Sequence, residues 1–93
     1  MLTPLNPEEV QSNLSKLRDW SHSGDAITRT FRFKSYMDGI AFVNRVANAA
    51  EATDHHPDMM LGYRRVVVTL TTHDANGITQ KDFALAAEID GLV

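Results

Sequence analysis

The run Val66-Val67-Val68-Thr69-Leu70-Thr71-Thr72-His73 restricts the fold more than any other stretch of the chain. Its β-branched residues suit a pleated surface, so it reads as a strand over Val66–His73. Side chains alternate along a strand. Val66, Val68, Leu70 and Thr72 therefore share one face, and Val67, Thr69, Thr71 and His73 share the other. A strand with this much apolar surface needs partner strands and a layer packed over one face.

The partners are legible nearby. Ile27, Arg29, Phe31 and Phe33 alternate with Thr28, Thr30 and Arg32, which predicts a strand over 26–33. Ser23-Gly24-Asp25 is a turn signal that joins it, as a hairpin, to a short strand near 19–22. Met59 to Tyr63 supplies a fourth strand. Three helices complete the pattern. Asn6-Pro7-Glu8-Glu9 reads as an N-cap, a proline at the first helical position and a capping glutamate, with Leu5 and Val10 spaced as a hydrophobic staple. That helix is expected over 7–18, with Lys16 and Arg18 near its carboxyl end. Met37, Ile40, Val43, Ala47 and Ala50 keep helical spacing over 36–53, capped by Ser35 and ended before Pro57. Thr79, with Asp82 three residues on, opens a last helix over 80–91, and Ile78 and Phe83 repeat the staple spacing. The expected fold is α+β: a four-stranded antiparallel sheet with helices on one face, in the order αββαββα.

Composition excludes several classes. The 93 residues suit a single domain spanning 1–93, and 43% apolar with 23% charged residues is the balance of a folded chain. No apolar run approaches the ~20 residues needed to cross a bilayer. The stretch Met1 to Glu9 has no basic region followed by an apolar one, so a soluble, cytoplasmic protein without a membrane partner is expected. With no cysteine there is no disulfide framework and no thiolate metal site. A net charge of −3 argues against broad nucleic-acid binding.

The chemistry-bearing residues are histidines. His55 and His56 follow the second helix and precede Pro57, while His73 ends the strongest strand. Imidazole titrates near neutrality, so two or three rings in one pocket can serve both directions of a proton transfer. Asp54, Asp58 or Asp74 can orient a ring, and Glu51 stands one helical turn before His55 as an i, i+4 partner. The plain alternative is a histidine at a helix end, favoured there by the dipole alone. His22, in a Ser-His-Ser-Gly turn, reads as a solvated loop residue. Three neutral histidines can hold zinc, but no His-x-x-x-His spacing occurs and adjacent rings rarely converge on one ion. No Gly-x-Ser-x-Gly turn or phosphate loop is present. Arg64-Arg65 beside Tyr63 offers an anion contact or a solvated turn, and Met59-Met60-Leu61 an apolar wall or a subunit contact.

Taken together, Glu51-x-x-x-His55-His56-Pro57-Asp58, Tyr63-x-x-Val66, Leu70-x-Thr72-His73 and Gly77-x-Thr79-x-x-Asp82-x-x-Leu85-Ala86 resemble the pterin-4a-carbinolamine dehydratase family. Leu17 to Trp20 and Ser35 to Phe42 match as well, so the resemblance spans nearly the whole chain. It implies dehydration of a 4a-hydroxytetrahydropterin to a quinonoid dihydropterin, in recycling of the cofactor of aromatic amino-acid hydroxylases. The pterin is then the substrate, with no further cofactor and no metal. The resemblance implies His55 and His73 as an acid/base pair, and His56 as a substrate-binding residue that can share in the proton transfer. It implies Pro57, Thr72, His73 and Asp74 as pterin contacts and Glu51 as an orienting carboxylate. It also implies a homodimer or homotetramer. Met59 and Met60 stand where the family often has an aromatic residue, and Asn76-Gly77 where it often has two glycines. The first departure leaves a second reading, a non-catalytic pterin-binding or partner-stabilising module.

Overall fold

The computed structural model describes residues 3–93. The chain folds as α1 (Pro7–Leu14), β1 (Ser21–Ser23), β2 (Ala26–Arg32), α2 (Tyr36–Thr53), β3 (Asp58–Gly62), β4 (Arg65–Leu70), a 3-10 turn at His73–Ala75, and α3 (Gln80–Asp90). The four strands form one antiparallel sheet in the order β1-β2-β4-β3, the α+β arrangement expected from the sequence.

The two strands at the centre show why the sheet has a dry face and a wet one. Ile27 and Phe31 of β2 and Val66, Val68 and Leu70 of β4 are buried beneath the helices. They meet Phe42 and Val46 of α2 and Leu85 and Ile89 of α3 in one core. The Phe31 and Phe42 rings lie 4.7 Å apart between centroids. Each such side chain contributes roughly 1.5–3 kcal/mol by leaving water. On the opposite face Thr28 and Thr69 face each other across the strands, 3.3 Å apart between hydroxyl oxygens. Arg29 lies on the core side, where its guanidinium meets Asp90 at 2.7 Å while Trp20 Nε1 donates to the same carboxylate at 2.9 Å. That contact fastens the far end of α3 to β2.

Three elements differ from the sequence reading by more than one residue, while β2, β3 and α3 shift by a single residue at one end or both. Helix α1 stops at Leu14 rather than 18, so Lys16 and Arg18 do not sit in its last turn. The chain tightens there, with Lys16 N–H on Asn13 O and Leu17 N–H on Leu14 O, yet Leu17 still packs against the core. The apolar spacing was satisfied by packing without the helix continuing. Strand β1 covers Ser21–Ser23 rather than 19–22, since Asp19 takes a positive φ of 65° and turns the chain first. Strand β4 ends at Leu70 rather than at His73. Ile27, near the start of β2, pairs with Leu70, and beyond it Thr71 Oγ1 donates to the Asp25 carbonyl of the turn. Thr72 stays buried but pairs with Gly77 instead. The period-two pattern therefore outlasts the ladder by one inward-facing residue.

The segment before α1 closes over that corner. Leu5 N–H donates to Ile78 O at 2.8 Å. A Cβ at Gly77 would lie 2.9 Å from Pro4 Cβ, so only glycine lets the two segments approach so closely. Among the described residues no helix is long and apolar enough to cross a membrane.

Candidate active site

Helix α2 delivers the histidine pair. Its last residues run into Asp54, whose left-handed conformation (φ 52°, ψ 42°) ends the helix and swings the chain outward. Aspartate tolerates that conformation better than most residues. His55 N–H then caps the Ala50 carbonyl at 3.1 Å. The corner after β4 delivers the third ring. Thr72 N–H bonds Gly77 O at 2.9 Å, Asn76 takes φ 56°, and its N–H returns to His73 O at 3.1 Å. This small closed loop holds His73 at the surface.

The two ends meet. A cleft of about 200 Å³ is lined by Asp54, His55, His56, Thr71, Thr72, His73, Asp74 and Lys81. The three histidines singled out from the sequence thus share one cavity, together with Thr72 and Asp74. Pro57 is half-buried and does not line it, and Glu51 reaches it only through His56. His22 is exposed and lines a different hollow beside Pro4 and Asn76.

The carboxylate partners differ from those expected. Glu51 was the i, i+4 candidate for His55, but its Oε2 lies 2.5 Å from Nε2 of His56. Both side chains there are largely in water, 78% and 54% exposed. His55 instead faces Asp82, with Nε2 at 2.6 Å from Oδ1. Here the histidine side chain is only 12% exposed and the aspartate 0%. The left-handed cap explains the exchange: once the chain leaves the helix at Asp54, helical spacing no longer says which residues face one another. Asp82 Oδ2 in turn receives Thr79 N–H at 2.9 Å and meets Thr72 Oγ1 at 2.9 Å. The buried carboxylate is therefore hydrogen-bonded on both oxygens, as burial of such a group requires.

Sequence reasoning passed over Asp82 and Lys81 as site residues. Asp82 was read as a helix cap, and it is one, with the reciprocal bonds of a capping box at the start of α3. Lys81 did carry a signal. A cation in the first turn of a helix opposes the macrodipole, so its presence there calls for another reason. Its place on the cleft wall supplies one. Among the described residues no group of three His, Cys, Asp or Glu side chains is arranged to hold a metal ion.

Comparison with known proteins gives a consistent result. The family model described as pterin 4 alpha carbinolamine dehydratase matches residues 3–92. A protein of Picosynechococcus sp., provisionally named a pterin-4-alpha-carbinolamine dehydratase, is 49% identical over 92 residues, covering 99% of this chain and 100% of its own length. Among solved structures, a transcriptional coactivator/pterin dehydratase from Brucella melitensis is 36% identical and superposes with a TM-score of 0.93, covering 97% of this chain and 98% of that one. A pterin dehydratase-like protein identified as a RuBisCO assembly factor in the alpha-carboxysome is 27% identical, with a TM-score of 0.65 over 78% of this chain and 84% of that one.

Proposed function

The chain belongs to the pterin 4 alpha carbinolamine dehydratase family, and we propose that it is a hydro-lyase that converts a 4a-hydroxytetrahydropterin into the quinonoid dihydropterin. The observation that carries this reading is the shared cleft: His55, His56 and His73 come from two separate segments and line one polar cavity. The reaction needs little else. The bond between the 4a carbon and its hydroxyl breaks, the neighbouring ring nitrogen's lone pair forms the new double bond, and that nitrogen loses its hydrogen. One group must protonate the departing oxygen and another must take the nitrogen's proton, so that water is the only product besides the pterin. A protonated and a neutral imidazole fill those roles near neutral pH.

In this reading His55 and His73 form the acid/base pair. His56, held by exposed Glu51, contacts the substrate, and the Thr72–Asp74 corner forms one wall. Lys81 adds a cation to that wall. The protein works as a homo-oligomer, a state supported by the free edge of β3 and the exposed Met60, Leu61 and Tyr63 at and beside it. General acid–base assistance is typically worth 10²–10⁴-fold. Decay of carbinolamine absorbance is expected to accelerate with the protein and to slow by about that factor in His55→Ala and His73→Ala. An unaccelerated decay with the wild type, or full activity in the double variant, defeats the proposal.

A second reading is favoured by one finding: a structural relative serves in RuBisCO assembly. A partner-stabilising module predicts no rate effect and indifference to both histidine substitutions, so the same assay separates the two.

A further inference from the structure

We propose that Thr72 is a positioning residue for His55, acting through Asp82, and that this chain of hydrogen bonds fixes His55 with its hydrogen on Nε2 and its free lone pair on Nδ1. The activity arm of this inference rests on the dehydratase reading; the tautomer does not.

The argument is a count of hydrogens. Three groups contact Asp82, the only fully buried carboxylate among the described residues, and two more stand one step behind them. Thr79 N–H, which can only donate, reaches Oδ2 at 2.9 Å. Thr72 Oγ1 also stands 2.9 Å from Oδ2 and 2.8 Å from Thr79 Oγ1. Lys81 N–H donates to Thr79 Oγ1 at 3.2 Å. A hydroxyl has one hydrogen, and an ionised carboxylate has none. The Thr72 hydrogen must therefore go to Oδ2. The short contact between the hydroxyls then needs a hydrogen from Thr79, whose oxygen remains free to accept from Lys81 N–H. Every donor in the cluster points toward the carboxylate.

Oδ1 faces His55 Nε2 at 2.6 Å and has no hydrogen to offer. Nε2 must supply it, which leaves Nδ1 of the neutral ring as the acceptor. Among the described residues Nδ1 has no protein hydrogen-bond partner, yet it is not sealed from solvent. A ring held this way by an ionised partner keeps both its tautomer and its orientation. Thr72 is also the residue before His73, and the corner that places His73 on the cleft is closed by Thr72 N–H and Thr72 O on Gly77. One residue thus registers both rings: its backbone sets His73, and its hydroxyl sets the partner of His55.

The test reads the imidazole nitrogens directly. Long-range ¹H–¹⁵N spectra of the full chain are recorded at a pH where the ring is neutral, with His55→Gln used to assign its signals. The wild type is expected to show a protonated Nε2 and a bare Nδ1. Thr72→Val should move the His55 nitrogen signals toward a tautomer mixture and lower kcat by about tenfold with KM unchanged. Thr72→Ser, which restores the hydroxyl, should recover most of the loss. A hydrogen on Nδ1 in the wild type overturns the proposal. So does Thr72→Val with wild-type signals and kcat, or with a raised KM alone, which would place the hydroxyl on the substrate. If Thr72→Val does not fold, the wild-type and Thr72→Ser spectra still decide: both must show Nε2 protonated. If the spectra behave as expected but no variant, wild type included, accelerates dehydration, the dehydratase reading fails and the positioning role stands.

Discussion

Two helices of this protein begin with the same local device and use it differently. At the start of α1, Asn6 and Glu9 exchange bonds, Glu9 N–H to Asn6 Oδ1 at 2.8 Å and Asn6 N–H to Glu9 Oε1 at 3.0 Å. At the start of α3, Thr79 and Asp82 do the same. The first box is exposed, and water shares its work. The second is buried, and its carboxylate has an oxygen left over that no solvent can reach. That oxygen takes His55. A capping carboxylate becomes the partner of a cleft histidine when the fold removes its water and puts an imidazole in the gap. Location, and not the capping motif, makes the difference.

This contrast can be broken by substitution. Asp82→Asn should have the largest effect, because it removes the charge from the buried box and leaves the imidazole with a mismatched partner. We expect a stability loss of about 3 kcal/mol in urea unfolding and a fall in dehydration rate of roughly 10²-fold. Asn6→Ala, in the exposed box, should lower stability by about 1 kcal/mol in the same unfolding experiment and leave the rate unchanged. A rate loss there would mean that the two boxes are not functionally distinct. Glu51→Gln sharpens the contrast from a third side, since Glu51 holds His56 without burial. Its stability should stay within about 0.5 kcal/mol of wild type. Its rate should fall far less than with Asp82→Asn, as read in parallel absorbance traces.

The fold was largely legible because its signals are local. Alternation in 26–33 and 66–70 and the caps at Asn6, Ser35 and Thr79 each name an element without reference to the rest of the chain. Misplaced boundaries arose where packing and hydrogen bonding part company. Leu17 packs like a helical residue outside a helix, and Thr72 is buried like a strand residue outside the ladder. The site was legible only in part. The three histidines stood out by type and by family resemblance, but spacing alone could not bring residue 73 to residue 55. The pairing of His55 with Asp82 spans 27 positions, and a cap of ordinary spacing gives no hint that its second oxygen points inward. Glu51 was assigned to the wrong ring because the left-handed turn at Asp54 breaks the helical register between them.

The contact of Leu5 N–H with Ile78 O has a practical corollary for anyone handling this chain. Pro4 and Leu5 rest against the loop that presents His73, so a load applied to them bears on that corner of the cleft. The far end of α3 is the quieter handle: the helix starts beside the cleft, and its 11 residues put Asp90 about 15 Å from Gln80 at 1.5 Å per residue.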